Sequence, residues 1–299
     1  MSKNFIWVIV VLLVLVMTYS NFGRADGFTD SQFYLEYSEY FRGDVTKEDL
    51  DQPYNFRPVV PFLAALLPFD LNINFGIINV VAILLSCLIL FRFLKKLKFN
   101  ENESFLGVFL FVVSYPIYLF FPAVLTDAVG FLFLLLGIYL IFVDSDWFFL
   151  VVSIGVLVRE VNAVLILIYL LKNWKFSKKL FLLLIPIGLM ILMRLLFRGM
   201  GYYWKLSGFN LLRGLAYLHI VLGLGLLILF LIPFILKYKK CKRFLIKNKS
   251  FYFLRNSFFV LLLITIYAFI SAYFDSRYVI VLYPALIPFC LSVVRSWKS

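Results

Sequence analysis

FGIINVVAILLSCLILFRFLKKLK, residues 75–98, holds no charge in its first 17 positions and then gathers Arg92, Lys95, Lys96 and Lys98 at its end. An apolar run of about 20 residues with a basic tail has the length and charge pattern of a bilayer-spanning helix anchored at the cytoplasmic surface. Comparable runs lie at 5–21, 105–122, 128–143, 147–158, 161–171, 180–197, 216–236, 256–273 and 278–294. The pattern predicts an all-α polytopic membrane protein with about ten transmembrane or re-entrant helices. The fifth and sixth passes are about a dozen residues each and meet at Arg159-Glu160, which predicts a re-entrant hairpin or a broken pair.

The composition agrees: 64% of the 299 residues are hydrophobic, 20% are aromatic and only 15% are charged. A soluble domain of this size cannot hide that much apolar surface from water, so the bilayer must act as the solvent. Residues 1–299 read as a single membrane domain. A net charge of +13 would suggest nucleic acid in a soluble protein, but here the placement of each cation matters more than the sum. No nucleic-acid partner is expected; membrane lipids are. Cys87, Cys241 and Cys290 show no paired spacing, which implies neither a disulfide framework nor a metal site. Residues 5–20 (FIWVIVVLLVLVMTYS) lack a small-residue cleavage site and read as an uncleaved anchor.

On this assignment 18 basic residues fall on one face and eight on the other, with KYKKCKRFLIKNK (237–249) the densest cluster. The asymmetry predicts that both termini are cytoplasmic, in a multi-pass protein of the plasma (inner) membrane, and that residues 22–74 are external. That loop carries eight of the 16 acids before Asp70. Thr29 to Gln32 has capping-box spacing, and Phe33, Tyr37, Tyr40 and Phe41 recur with helical period. FRPVVPFLAALLPF (56–69), punctuated by three prolines, is too short to span and reads as an interfacial helix.

Charge near a bilayer is expensive, so Asp26, Asp30, Arg57, Asp127, Arg159, Glu160, Asp275 and Arg277 each need a reason. All fall at or near the predicted external interface. Asp30 reads either as a helix cap or as a general base that accepts a proton from a hydroxyl nucleophile, with Asp26 as the fallback. Asp127 reads as an N-cap or as a second carboxylate that orients the acceptor or holds a divalent metal ion. Arg159 and Glu160 read as an ion pair at the break, or Arg159 as a cation facing a lipid-linked phosphate, for which a guanidinium offers bidentate bonding. Arg57 and Arg277 are further candidates for that phosphate, with Tyr278 in support or in an aromatic belt. The lone histidine, His219, reads as a satisfied structural residue.

The order of these features resembles the GT-C type of glycosyltransferases. DSQFYLEYSEYFRG (30–43) follows a first span as an Asp-led helix, and YNFRPVVPFLAALLPF (54–69) opens an apolar stretch with a basic residue and proline. LTDAVGFLFLLLGIYL (125–140), VLVREVNAVL (156–165) and DSRYVIVLYPALIPF (275–289) are similar to later motifs of such enzymes. The resemblance implies transfer of a sugar from a polyprenyl-phosphate donor to a lipid or glycan acceptor by single inverting displacement. It implies Asp30 as the acceptor-activating carboxylate and Asp127 as the second acidic position. No cofactor is implied, and the first loop lacks a paired-acid metal motif. A polysaccharide polymerase, a lipid-linked glycan transporter or flippase, and a scaffold of an export complex are the alternatives.

Overall fold

In a computed structural model, residues 3–46, 50, 54–172, 178–197, 214–247, 250–271 and 274–297 are described. Lys47, Lys175, Arg198, Lys205, Arg213, Lys249 and Lys298, all counted in the charge asymmetry, lie outside the described residues. Every regular element among the described residues is helical. The chain runs through α1 (Lys3–Tyr19), α2 (Thr29–Arg42), α3 (Val59–Leu66), α4 (Leu71–Lys96), α5 (Glu101–Val112), α6 (Tyr115–Leu119), α7 (Asp127–Phe142) and α8 (Trp147–Val158). It continues through α9 (Val164–Lys172), α10 (Leu184–Leu196), α11 (Gly214–Leu224), α12 (Ile228–Leu236), α13 (Tyr238–Lys247), α14 (Phe251–Ser271) and α15 (Tyr283–Trp297).

Four segments are long and apolar enough to cross a membrane: Leu71–Lys96, Leu215–Leu236, Phe251–Ile270 and Ser276–Arg295. This is a helical membrane protein, but of the expected ten or so transmembrane or re-entrant helices only four among the described residues have the length of a full span. The other apolar runs form shorter helices: α1 has 17 residues, α7 16, α10 13 and α8 12. At about 1.5 Å per residue, 16 residues cover roughly 24 Å of a ~30 Å hydrocarbon layer. Runs that are continuous in hydropathy are interrupted in backbone. The stretch 105–122, punctuated by Pro116 and Pro122, splits into α5 and α6, and 161–171 begins with a 3-10 turn, Glu160–Ala163.

The chain forms two compact units, one of residues 1–17, 86–117 and 204–299, the other of 18–85 and 118–203. In the first, α15 is the core element: the Ser276–Arg295 segment is 78% buried, whereas Leu215–Leu236 is 11% buried and turns its apolar side chains outward. Gly107 lets α5 approach closely, since a Cβ there would lie 2.5 Å from Leu94 Cδ1 and 3.0 Å from Ile287 Cγ2. The Tyr283 hydroxyl donates to the Gly223 carbonyl at 2.7 Å, so the buried phenol is satisfied. All three cysteines are buried thiols.

In the second unit, α8 packs against α7 and α10, and α2 lies over α3. The loop expected to be external does contain helices, but the expected capping box is not formed. Phe28 occupies the N-cap without a side-chain bond, and Thr29 is already helical; Gln32 instead donates to Glu36 at 3.0 Å. Ser31, Tyr34, Tyr37 and Ser38 form the buried side of α2. Gly43 ends the helix at φ 87°, a left-handed conformation that a glycine adopts without steric cost. α3 has eight residues, far short of a span, and accommodates Pro61 in its first turn. The carbonyls that follow it accept from Arg42, at Leu67 and Phe69 (3.2 and 3.1 Å), and from Asn74 at the same two (both 3.0 Å).

Candidate functional site

Asp30 stands in the first turn of α2, where helix N–H groups favour a carboxylate. The Tyr54 hydroxyl donates to its Oδ1 at 2.9 Å. Tyr54 is held by stacking on Phe33 (ring centroids 4.6 Å apart, 11° between planes) and by an edge contact with Tyr34 at 5.4 Å. Tyr34, one turn after Asp30, shares its flank of the helix. Its hydroxyl accepts from Arg57 Nη1 at 2.5 Å and from Thr126 Oγ1 at 3.3 Å. Arg57 Nε donates to Glu160 Oε2 at 2.9 Å, and Arg159 pairs with Asp127.

Two local features make this convergence possible. α8 stops at Val158, and Arg159 is extended at φ −161°, ψ 128°. Successive side chains of extended backbone point to opposite sides, so Arg159 reaches Asp127 at the start of α7 while Glu160 reaches Arg57. Asn162 closes the break by donating to the Gly155 carbonyl at 3.0 Å. Gly130 makes room for the arginine stem: a Cβ there would lie 3.2 Å from Arg159 Cδ. The turn before Asp127 is set from α4, where Asn79 Nδ2 donates to the carbonyls of Ala123 and Leu125 at 2.7 and 3.0 Å. The Asp26 loop joins the same turn through backbone bonds, Gly23 N–H to Pro122 and Val124 N–H to Arg24.

The network holds two guanidiniums and three carboxylates in a weakly solvated region, with side chains 13% and 25% exposed for Arg57 and Glu160 and 15% and 5% for Arg159 and Asp127. Burial alone lowers the Arg57 pKa, but the Glu160 carboxylate and Tyr34 outweigh it and hold the guanidinium above its ordinary range. Arg57 is a permanent cation. Beside Glu160 lies a small pocket of about 10 Å³, bounded by Phe56, Met190, Met193 and Arg194, with space for about one water.

Of the residues singled out from sequence, Asp30, Arg57, Asp127, Arg159 and Glu160 come together. Asp26 is exposed in its loop, its backbone carbonyl accepting from Arg24 Nε at 3.0 Å. Arg277 and Tyr278 belong to the other compact unit. There Arg277 Nε pairs with Asp275 Oδ2 at 2.9 Å and its guanidinium lies 5.7 Å from the Tyr278 ring centre. His219 Nδ1 is buried and has no hydrogen-bond partner among the described residues. Among the described residues no cluster of three His, Cys, Asp or Glu side chains has the arrangement to hold a metal ion. Tyr34, Tyr54, Thr126 and Asn79 were missed. The i,i+4 spacing of Asp30 and Tyr34, and the adjacency of Thr126 to Asp127, were the available signals.

No protein-family model, curated protein or solved structure matches this chain.

Proposed function

We propose that this protein is a multi-pass membrane glycosyltransferase that moves a sugar from a polyprenyl-phosphate donor to an acceptor hydroxyl on the external face of the plasma membrane. The observation that carries the reading is the grouping of Asp30, held by Tyr54, with two carboxylate-oriented arginines at one weakly solvated locus of the second unit. In this reading both termini are cytoplasmic, and the shorter apolar helices complete a ten-pass GT-C-like arrangement with the donor tail between helices. The acceptor O–H gives its proton to Asp30, its oxygen attacks the anomeric carbon, and the bond to the phosphate oxygen breaks. Polyprenyl phosphate leaves with the bonding electron pair. Arg159 and Arg57, oriented in advance by Asp127 and Glu160, meet that developing charge without reorganising.

The test is donor turnover in reconstituted membranes, using a panel of hexosyl and pentosyl polyprenyl phosphates. The wild type should release free polyprenyl phosphate in an acceptor-dependent way. Asp30→Asn should lower that rate about 100-fold to 10,000-fold, the usual contribution of a positioned base. Its thermal midpoint should be unchanged, because an Asn oxygen still accepts from Tyr54. Full activity in Asp30→Asn would remove the base, and no turnover of any donor by the wild type would remove the transferase.

A further inference from the structure

The basic ends of the span-length segments meet in the first compact unit and build one surface. α4 ends in Lys95 and Lys96, followed by Lys98, and all three are exposed. The Lys98 carbonyl accepts from Arg295 Nη1, at the end of α15, at 2.7 Å. The Arg295 guanidinium lies 4.8 Å from the Phe244 ring centre on α13, and Phe244 also meets Phe99 at 5.4 Å. α13 itself is anchored by Cys241 and Leu245, both fully buried, one turn apart. Its opposite side presents Lys239, Lys240 and Arg243 to the exterior. Tyr238 ties this helix to its flanking segments through Phe234 (5.8 Å) and Phe251 (6.5 Å).

Little acid offsets this surface. Glu103 is buried, bonded to the Asn100 N–H at 2.9 Å and paired with Arg295 at 3.5 Å, and Glu101 is half-buried at the start of α5. The cations border outward-facing apolar side chains, Ile235 at 71% and Leu236 at 79% exposed, with Ile246 at 40% on α13 itself. A basic face set directly above a lipid-facing apolar rim matches the boundary between headgroups and acyl chains. We infer that Lys95, Lys96, Lys98, Lys239, Lys240 and Arg243 form a binding surface for the headgroups of anionic phospholipids. The surface goes beyond the transfer reading and requires only that the long helices cross the bilayer.

Spin-labelled phosphatidylglycerol and phosphatidylcholine, each added to the full-length protein in bilayers, report how strongly each lipid associates with the protein. The wild type should prefer phosphatidylglycerol several-fold at low salt and lose that preference at high salt. The triple variant Lys239→Gln, Lys240→Gln, Arg243→Gln should bring the two lipids close to equal association, since each cation near an anionic surface is worth up to about five-fold. Arg194→Gln, an exposed cation of the other unit, should leave it unchanged. The three substituted side chains are exposed, so folding should survive, and replacing them by Lys or Arg alternatives should retain the preference. Equal association of the two lipids with the wild type, or an undiminished preference in the triple variant, would overturn the inference.

Discussion

Arg57 and Glu160 are the residues on which the polar locus turns, because each would be a costly isolated charge without the other. Removing one partner of a largely buried pair leaves the other uncompensated, at a cost of about 3 kcal/mol, whereas replacing both by apolar groups of similar size is nearly neutral. Glu160→Leu is therefore expected to lower the thermal midpoint in detergent, and Arg57→Met with Glu160→Leu to recover most of the loss. Additive losses in the double variant would show that the two side chains are not coupled. On the proposed transfer reading both variants should nevertheless lose donor turnover, since the single variant lacks the carboxylate that orients Arg57 and the double variant lacks the guanidinium as well. From sequence, Arg57 and Glu160 were each legible as charges that needed a reason. Their pairing was not, because 103 residues separate them and only packing decides which cation a carboxylate meets.

At the level of elements, the break between α8 and α9 was legible. Two apolar stretches of about a dozen residues separated by Arg159-Glu160 cannot continue as one helix through a nonpolar layer, and α8 does stop at Val158. The capping box at Thr29 was misread because Ser, Thr or Asp spacing marks several registers equally well, and the buried face of α2 selects among them. The hold of α4 on the turn before α7 left no local signature at all. Asn79 looks like a polar interruption of a span, yet it supplies both carbonyls of that turn with a donor. Asn79→Ala should cost about 1–3 kcal/mol in stability, for two carbonyls left unsatisfied, and should also slow donor turnover by shifting Asp127. A wild-type melting midpoint in Asn79→Ala would show that the turn is held by something else.

At the scale of the whole molecule, the charge asymmetry predicts how the protein sits in its membrane. In a background without Cys87, Cys241 and Cys290, a cysteine placed at Asp44 should react with a membrane-impermeant maleimide in intact cells, and one at Lys240 should react only after permeabilisation. The reverse pattern would invert the topology and with it the external assignment of Asp30. The membrane class of the protein was determined by sequence alone, since apolar run length and composition are one-dimensional quantities that water and lipid read directly. The same holds for the identity of the costly charges, because the cost of a charge near lipid belongs to the side chain itself. Tertiary structure decided which apolar runs became unbroken helices, through prolines and 3-10 turns that hydropathy averages over. It also decided the join of Tyr34 to Thr126, 92 residues away, and of Arg159 to Asp127. Hydrogen bonds and ion pairs act over about 3 Å, and no regularity along the chain encodes a distance of that size between segments brought together by packing.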